Sequence, residues 1–176
     1  VINIASRCAG FVVKKFAGQL APTLSPTAQA IYAHFAAQSE AIAELYEKRE
    51  FAQAMREIMA LADQANEYIA ETAPWVLAKQ PEQTEALHES VSLGINCFRV
   101  LMTYLAPVIP ATAEQALAFL NLDAWRWQEV KQPLLSHKIN PFKPLMTRLE
   151  MSDIEKMLEA SKQSLQPVSK GSSKEA

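Results

Sequence analysis

The chain has 176 residues, 49% of them hydrophobic, a net charge of -2 and 2 cysteines. That is room for one domain with a buried core and too little for two. No apolar run approaches the roughly 18 residues of a membrane-spanning helix, and no basic-then-apolar stretch opens the chain as a secretion signal would.

With only 4 glycines, and with alanine, glutamate, leucine, lysine and glutamine dominating residues 27 to 106, the composition predicts an all-α fold, an antiparallel helix bundle. The chain opens at Val1 already inside an amphipathic pattern, so it is expected to be an excised piece of a longer polypeptide. In this first helix Ile4, Cys8 and Val12 mark the flank to be buried. At 100° per residue, Asn3, Arg7, Gly10 and Lys14 fall within about 60° of one another on the other flank. Such a stripe is more often a solvated face than a site. Its chemistry is nevertheless specific: a carboxamide able to read a base edge, a planar donor fork, a point charge for phosphate, and a glycine that lets a ligand come close.

Ser25 with Pro26 just inside predicts the start of a second helix, whose apolar positions run loosely through Ile31, Phe35, Ile42 and Leu45. In the third, Phe51, Met55, Ile58, Ala62, Ala65 and Ile69 alternate spacings of four and three, a core seam. Pro74 lacks an amide hydrogen and clashes with the preceding turn, so this helix must kink or end near Thr72. Its seam would continue through Thr72 and Val76, leaving Trp75 off the core face. There the indole either caps the bundle end as ordinary packing or offers a surface to something flat.

Pro81 with Glu82 and Glu85 opens a fourth helix with a seam of Leu87, Val91, Gly94, Phe98, Leu101 and Leu105, stopped by Pro107 and Pro110. A shorter helix is expected over roughly residues 112 to 120. "AWRWQEVKQPLLSHKINPFKP" has three prolines and no helical rhythm. It is expected to run extended over the bundle, with a short strand pair and with Trp125, Leu134, Leu135 and Phe142 as anchors. Its length marks it as functional or as docking onto further protein. Ser152 or Asp153 caps a last helix built on Ile154, Leu158 and Leu165. The bundle is thus assigned to residues 1–165, and the Ser- and Lys-rich residues 166–176 to a flexible linker or tail.

Charge is segregated. Residues 1 to 15 hold Arg7, Lys14 and Lys15 and no acid, and residues 126 to 148 hold five Lys or Arg against Glu129 alone, whereas residues 40 to 89 hold eleven Asp or Glu against four Lys or Arg. Such a division steers a polyanion towards one face, though solvated helix faces alone also produce it. Catalytic chemistry is thin. Glu85 and His88 form one Glu-x-x-His pair where a di-metal bundle needs two plus further carboxylates. His34, His88 and His137 have no mutual geometry, and there is no glycine-rich phosphate loop or nucleophile elbow. Cys8 and Cys97 match no zinc-ligand spacing and sit among apolar residues, so both are expected as packed free thiols in a reducing, cytoplasmic setting. No metal or catalytic residue is expected in the chain itself.

"NIASRCAGF" at 3 to 11, "EFAQAMREIMALADQANEYIAETAPWVLAK" at 50 to 79, "GINCFRVLMTYLAPVIP" at 94 to 110 and "QPLLSHKINPFKPL" at 132 to 145 closely resemble the C-terminal part of bacterial methionyl-tRNA synthetases. The resemblance spans nearly the whole chain in the family's order. It implies an anticodon-binding helical bundle attached, in the full enzyme, to an upstream class I catalytic domain. There ATP with magnesium, and zinc, would serve methionine-tRNA ligation; neither the HIGH-type nor the KMSKS-type signature occurs here. By residue, it implies that Trp75, held by Pro74, stacks on the anticodon and that Asn3 and Arg7 contact its bases. Lys14 and Arg148 are expected to contact the tRNA backbone or the neighbouring domain. The implied partner is methionine tRNA with anticodon CAU, and the tail resembles the linker to a further, dimerising domain of some members. Cys8 stands where relatives often carry a polar residue such as Asn. Two rival readings are the bundle of a related aliphatic aminoacyl-tRNA synthetase and a helical scaffold that binds a protein through its acidic faces.

Overall fold

The computed structural model describes residues 2–142. In chain order these form α1 (Ile2–Lys15), α2 (Pro26–Ala36), α3 (Ser39–Glu47), α4 (Phe51–Thr72), the short α5 (Pro74–Leu77), a 3-10 turn (Pro81–Gln83), α6 (Thr84–Leu105), α7 (Pro110–Leu120) and a second 3-10 turn (Trp127–Lys131). The expected all-α fold is observed. The helix expected from Ser152 or Asp153, Arg148, the bundle limit at 165 and the tail at 166–176 lie outside the described residues.

The hub is α6. Every residue from Ser90 to Leu105 is buried, so the expected one-sided seam is instead a helix enclosed on all sides. Around it pack α1, α2, α4, α5 and α7. Gly94 lets α1 close in: a Cβ there would lie 2.5 Å from the Cys8 Sγ and 3.6 Å from the Ile69 Cδ1. One glycine thus sets the level at which α1 and α4 meet on the hub.

The helix ends follow local chemistry. Ser25 caps α2, its Oγ accepting from the Ala28 amide at 3.2 Å, while its own amide donates to Glu89 at 2.8 Å. The single helix expected through Ile31 to Leu45 is two helices. The buried Tyr104 hydroxyl donates to the Phe35 carbonyl at 2.6 Å and reaches that of Ala36 at 3.3 Å, satisfying groups the end of α2 leaves free. Pro81 opens a 3-10 turn rather than α6 itself, and Pro110 sits in the first turn of α7 instead of before it.

Residues 121 to 142 form a strap across the bundle. Arg99, buried in α6, donates to the Tyr32 hydroxyl at 3.0 Å and to the carbonyls of Gln132 at 2.8 Å and Glu129 at 2.9 Å. Tyr32 donates in turn to the carbonyl of Val130. Asn96 pairs with Leu134 through both backbone groups. Further on, the Leu20 amide donates to the His137 carbonyl at 2.9 Å, and Gln19 and Lys138 form an isolated antiparallel bridge, not the expected strand pair. Trp125, Leu134 and Phe142 pack on the core as expected, but Leu135 is 41% exposed; the buried anchors are Val130 and Ile139.

Candidate nucleic-acid interface

Alanine at position 73 decides how α4 ends. A residue before proline is driven out of the right-handed helical region by the pyrrolidine ring. Ala73 ends the helix as a left-handed cap at φ 44° and ψ 67°, while its amide still donates to the Ile69 carbonyl at 2.9 Å. The Thr72 hydroxyl also turns inward, to the Tyr68 carbonyl at 3.0 Å. From this cap the chain restarts as α5, with Pro74 in its first turn, where no amide hydrogen is needed.

The left-handed residue resets the helical phase. Pro74 is buried and Leu77 and Ala78 pack on the core, whereas Trp75 and Val76 are each 45% exposed. The core seam therefore does not pass through Val76, as a continued helix would require, but through Leu77. Sequence periodicity missed Val76 as an exposed neighbour of the indole. The signal that marks it is the Ala-Pro step, which forbids an unbroken phase. The result is an amphipathic knob: two large apolar side chains held out from a turn whose other residues are anchored.

On α1, Ile2, Ile4, Ala5, Cys8, Ala9 and Val12 are buried, and Asn3, Arg7, Gly10 and Lys14 are all exposed. Among the described residues, no side-chain hydrogen bond or ion pair engages Asn3, Arg7 or Lys14, so their donors are available. Lys14 and Lys15 lie in the last turn of α1, where cations also offset the helix dipole.

The last turn of α1 and the knob lie towards the same end of α6. Cys8 meets α6 at Gly94, and just past the end of α1 Phe16 stacks on His88, with ring centroids 3.8 Å apart and 8° between planes. Gly94 to His88 is six residues, about 9 Å of helix, so α1 runs towards the beginning of α6. The corner reaches the same end, because Thr72 and Leu77 share a cleft of about 290 Å³ with Ala86, Glu89 and Ser90. Arg7 thus lies near the level of Ile69, and Lys14 nearer the level of Trp75.

Buried titratable groups here are structural. Burial pushes the Cys8 thiol up to about 12 against a smaller opposing pull from the Arg7 charge, and burial raises Cys97 and Tyr68 as well. His88 is taken by Phe16 and by the Gln19 carbonyl, 2.8 Å from its Nε2. Among the described residues no group of three or more His, Cys, Asp or Glu converges to hold a metal ion, and no helix is long and apolar enough to cross a membrane.

This all-α architecture recurs in solved structures of Mycobacterium tuberculosis methionyl-tRNA synthetase. The free-state enzyme matches with a TM-score of 0.74 at 22% identity, over 83% of this chain and 31% of that one. The same enzyme in complex with methionyl-adenylate matches with a TM-score of 0.74 at 22% identity, over 83% of this chain and 30% of that one. At such identity the likeness establishes the fold, and this chain spans about a third of the length of those enzymes. Residues 20–157 match the family described as the anticodon binding domain of methionyl tRNA ligase. The chain belongs to that family.

Proposed function

We propose that this chain is the part of a cytoplasmic methionine-tRNA ligase that reads the CAU anticodon of methionine tRNA. Trp75 is the stacking platform, while Asn3 and Arg7 select bases by hydrogen bonding to their edges. The observation that carries this reading is the exposed indole on an anchored turn: a buried Pro74 beneath a 45% exposed Trp75. An unstacked loop base lies against such a face whatever its identity, so the choice between bases falls to the polar pair. The family match favours this over the bundle of a related aliphatic synthetase.

Joining methionine to tRNA with ATP and magnesium, and any zinc, belongs to an upstream catalytic domain of the whole enzyme, as dimerisation belongs to a further domain. This chain binds and orients one end of the substrate. Lys14 lies on the same stripe and supplies a phosphate contact; Arg148, in a segment that resembles the family, contacts the tRNA backbone or the neighbouring domain. The test is titration of the chain with a CAU anticodon stem-loop and with stem-loops altered at single anticodon positions, at low salt. Tighter binding of the CAU loop, weakening as salt rises, is expected. Equal binding of every loop would reduce the site to polyanion attraction and sink the decoding role.

A further inference from the structure

Gly10 sits in the interior of α1 with no reason inside the protein to be glycine. Its φ is not positive, since Gly18 is the one positive-φ glycine among the described residues. A Cβ built on it would meet nothing within 4 Å. Glycine there nevertheless weakens the helix relative to alanine, because it surrenders the most backbone freedom on folding. Gly94 and Gly18 differ on this point. At Gly94 a Cβ would collide with Cys8, and at Gly18 it would come within 3.0 Å of the Ile139 carbonyl at φ +80°. Among the described glycines, Gly10 alone carries the cost without an internal use.

Its position suggests an external one. Gly10 is exposed, three residues after Arg7 and four before Lys14, so it lies between two cations on the unpartnered stripe of α1. A side chain there would stand between a ligand and the helix surface. Without it, an RNA strand can lie flat on the helix barrel, with a phosphate towards Lys14 and a base edge towards Arg7.

We infer that Gly10 is a contact point at which the ribose-phosphate backbone of single-stranded loop RNA crosses α1 in close approach, with a phosphate towards Lys14 and the adjoining base towards Arg7. This rests on the anticodon-reading function proposed above and adds to it the path of the strand between the polar pair and Trp75. The glycine is kept for the RNA at the expense of the helix.

The test sets stability against binding in the 176-residue chain. Gly10→Ala and Gly10→Leu both replace glycine with a strong helix former in open space, so each is expected to raise the Tm by about 2–4 °C. Affinity for the CAU stem-loop is expected to move the other way: about tenfold weaker for Gly10→Ala and weaker again for Gly10→Leu, about 1.4 kcal/mol per tenfold. A Tm that falls with Gly10→Ala would reveal an internal role and overturn the inference. So would unchanged or tighter stem-loop binding by the more stable variants. If the parent chain itself fails to distinguish anticodons, the reading of α1 as an RNA-facing helix fails first, and this inference with it.

Discussion

Replacing Trp75 with alanine separates a decoding role from a packing role. The indole is 45% exposed, so roughly half of the 150–250 Å² an aromatic side chain can bury is in play, on the order of 100 Å². At about 25 cal/mol per Å² that is at most about 2.5 kcal/mol of folding free energy. A domain stable by about 5–15 kcal/mol stays folded after such a loss. On the RNA side, stacking one base is worth about 1–3 kcal/mol, so the CAU stem-loop should bind roughly 5- to 150-fold more weakly. Trp75→Phe keeps a ring and should recover much of that binding even if it recovers little stability. Stem-loop affinity and urea unfolding are measured on the same three proteins. In the full-length enzyme, Trp75→Ala should depress aminoacylation of methionine tRNA while leaving methionine activation by ATP nearly intact. Equal affinity of parent and Trp75→Ala, or equal loss in both enzyme assays, would refute the stacking role.

Three further outcomes test the scaffold beneath the site. Gly94→Ala drives a methyl into Cys8 and should cost about 1–3 kcal/mol in urea unfolding; Cys8→Ala empties that space, so the double variant should be less destabilised than the sum of the two singles, and strict additivity would contradict the packing described. Arg99→Met leaves the strap carbonyls of Glu129 and Gln132 without their buried donor and should cost about 2–4 kcal/mol, with faster amide exchange at Leu134 and Leu20. Alkaline pH should unfold the domain steeply: Tyr32, buried beside α6, is pushed up to about 12, and Cys8 to about 12. Because the folded forms hold their protons when the unfolded chain has begun to release them, this stabilisation is complete below about pH 9 and is lost as pH rises towards 12. Across pH 10 to 12, Tyr32 alone should account for about 2–3 kcal/mol; chemical denaturation midpoints that stay flat over that range would contradict it.

The helices were legible wherever one side chain decided a boundary. Ser25 and Pro26 marked the start of α2, and Pro74 marked the end of α4, because capping and proline sterics act within a turn. What periodicity could not show was set by distant partners. The break between α2 and α3 answers to the Tyr104 hydroxyl, 68 residues away from Ala36, and the buried Arg99 reads in sequence as an ordinary helix cation until the strap closes over it. Leu135 was misplaced for the same reason: an extended segment alternates faces, and only the pairings of Asn96 with Leu134 and of Ala21 with Ser136 fix which face turns inward. At the candidate site, the residue types on α1 and the corner at Pro74 were visible. That the last turn of α1 and the corner lie towards the same end of α6 was not, since it depends on how α1 and α4 pack on the hub around Gly94.

The bridge from Gln19 to Lys138 has a consequence during synthesis. The segment that ties down the far end of α1 leaves the ribosome about 120 residues after it, which at about 5–20 residues per second is roughly 6–24 seconds. Even the hub against which Ile4, Cys8 and Val12 pack emerges only some 80 residues later. Of the described helices, the one that carries Asn3 and Arg7 is therefore made first and locked last, and its greasy side stays open to chaperones, or to neighbouring nascent chains, throughout that interval.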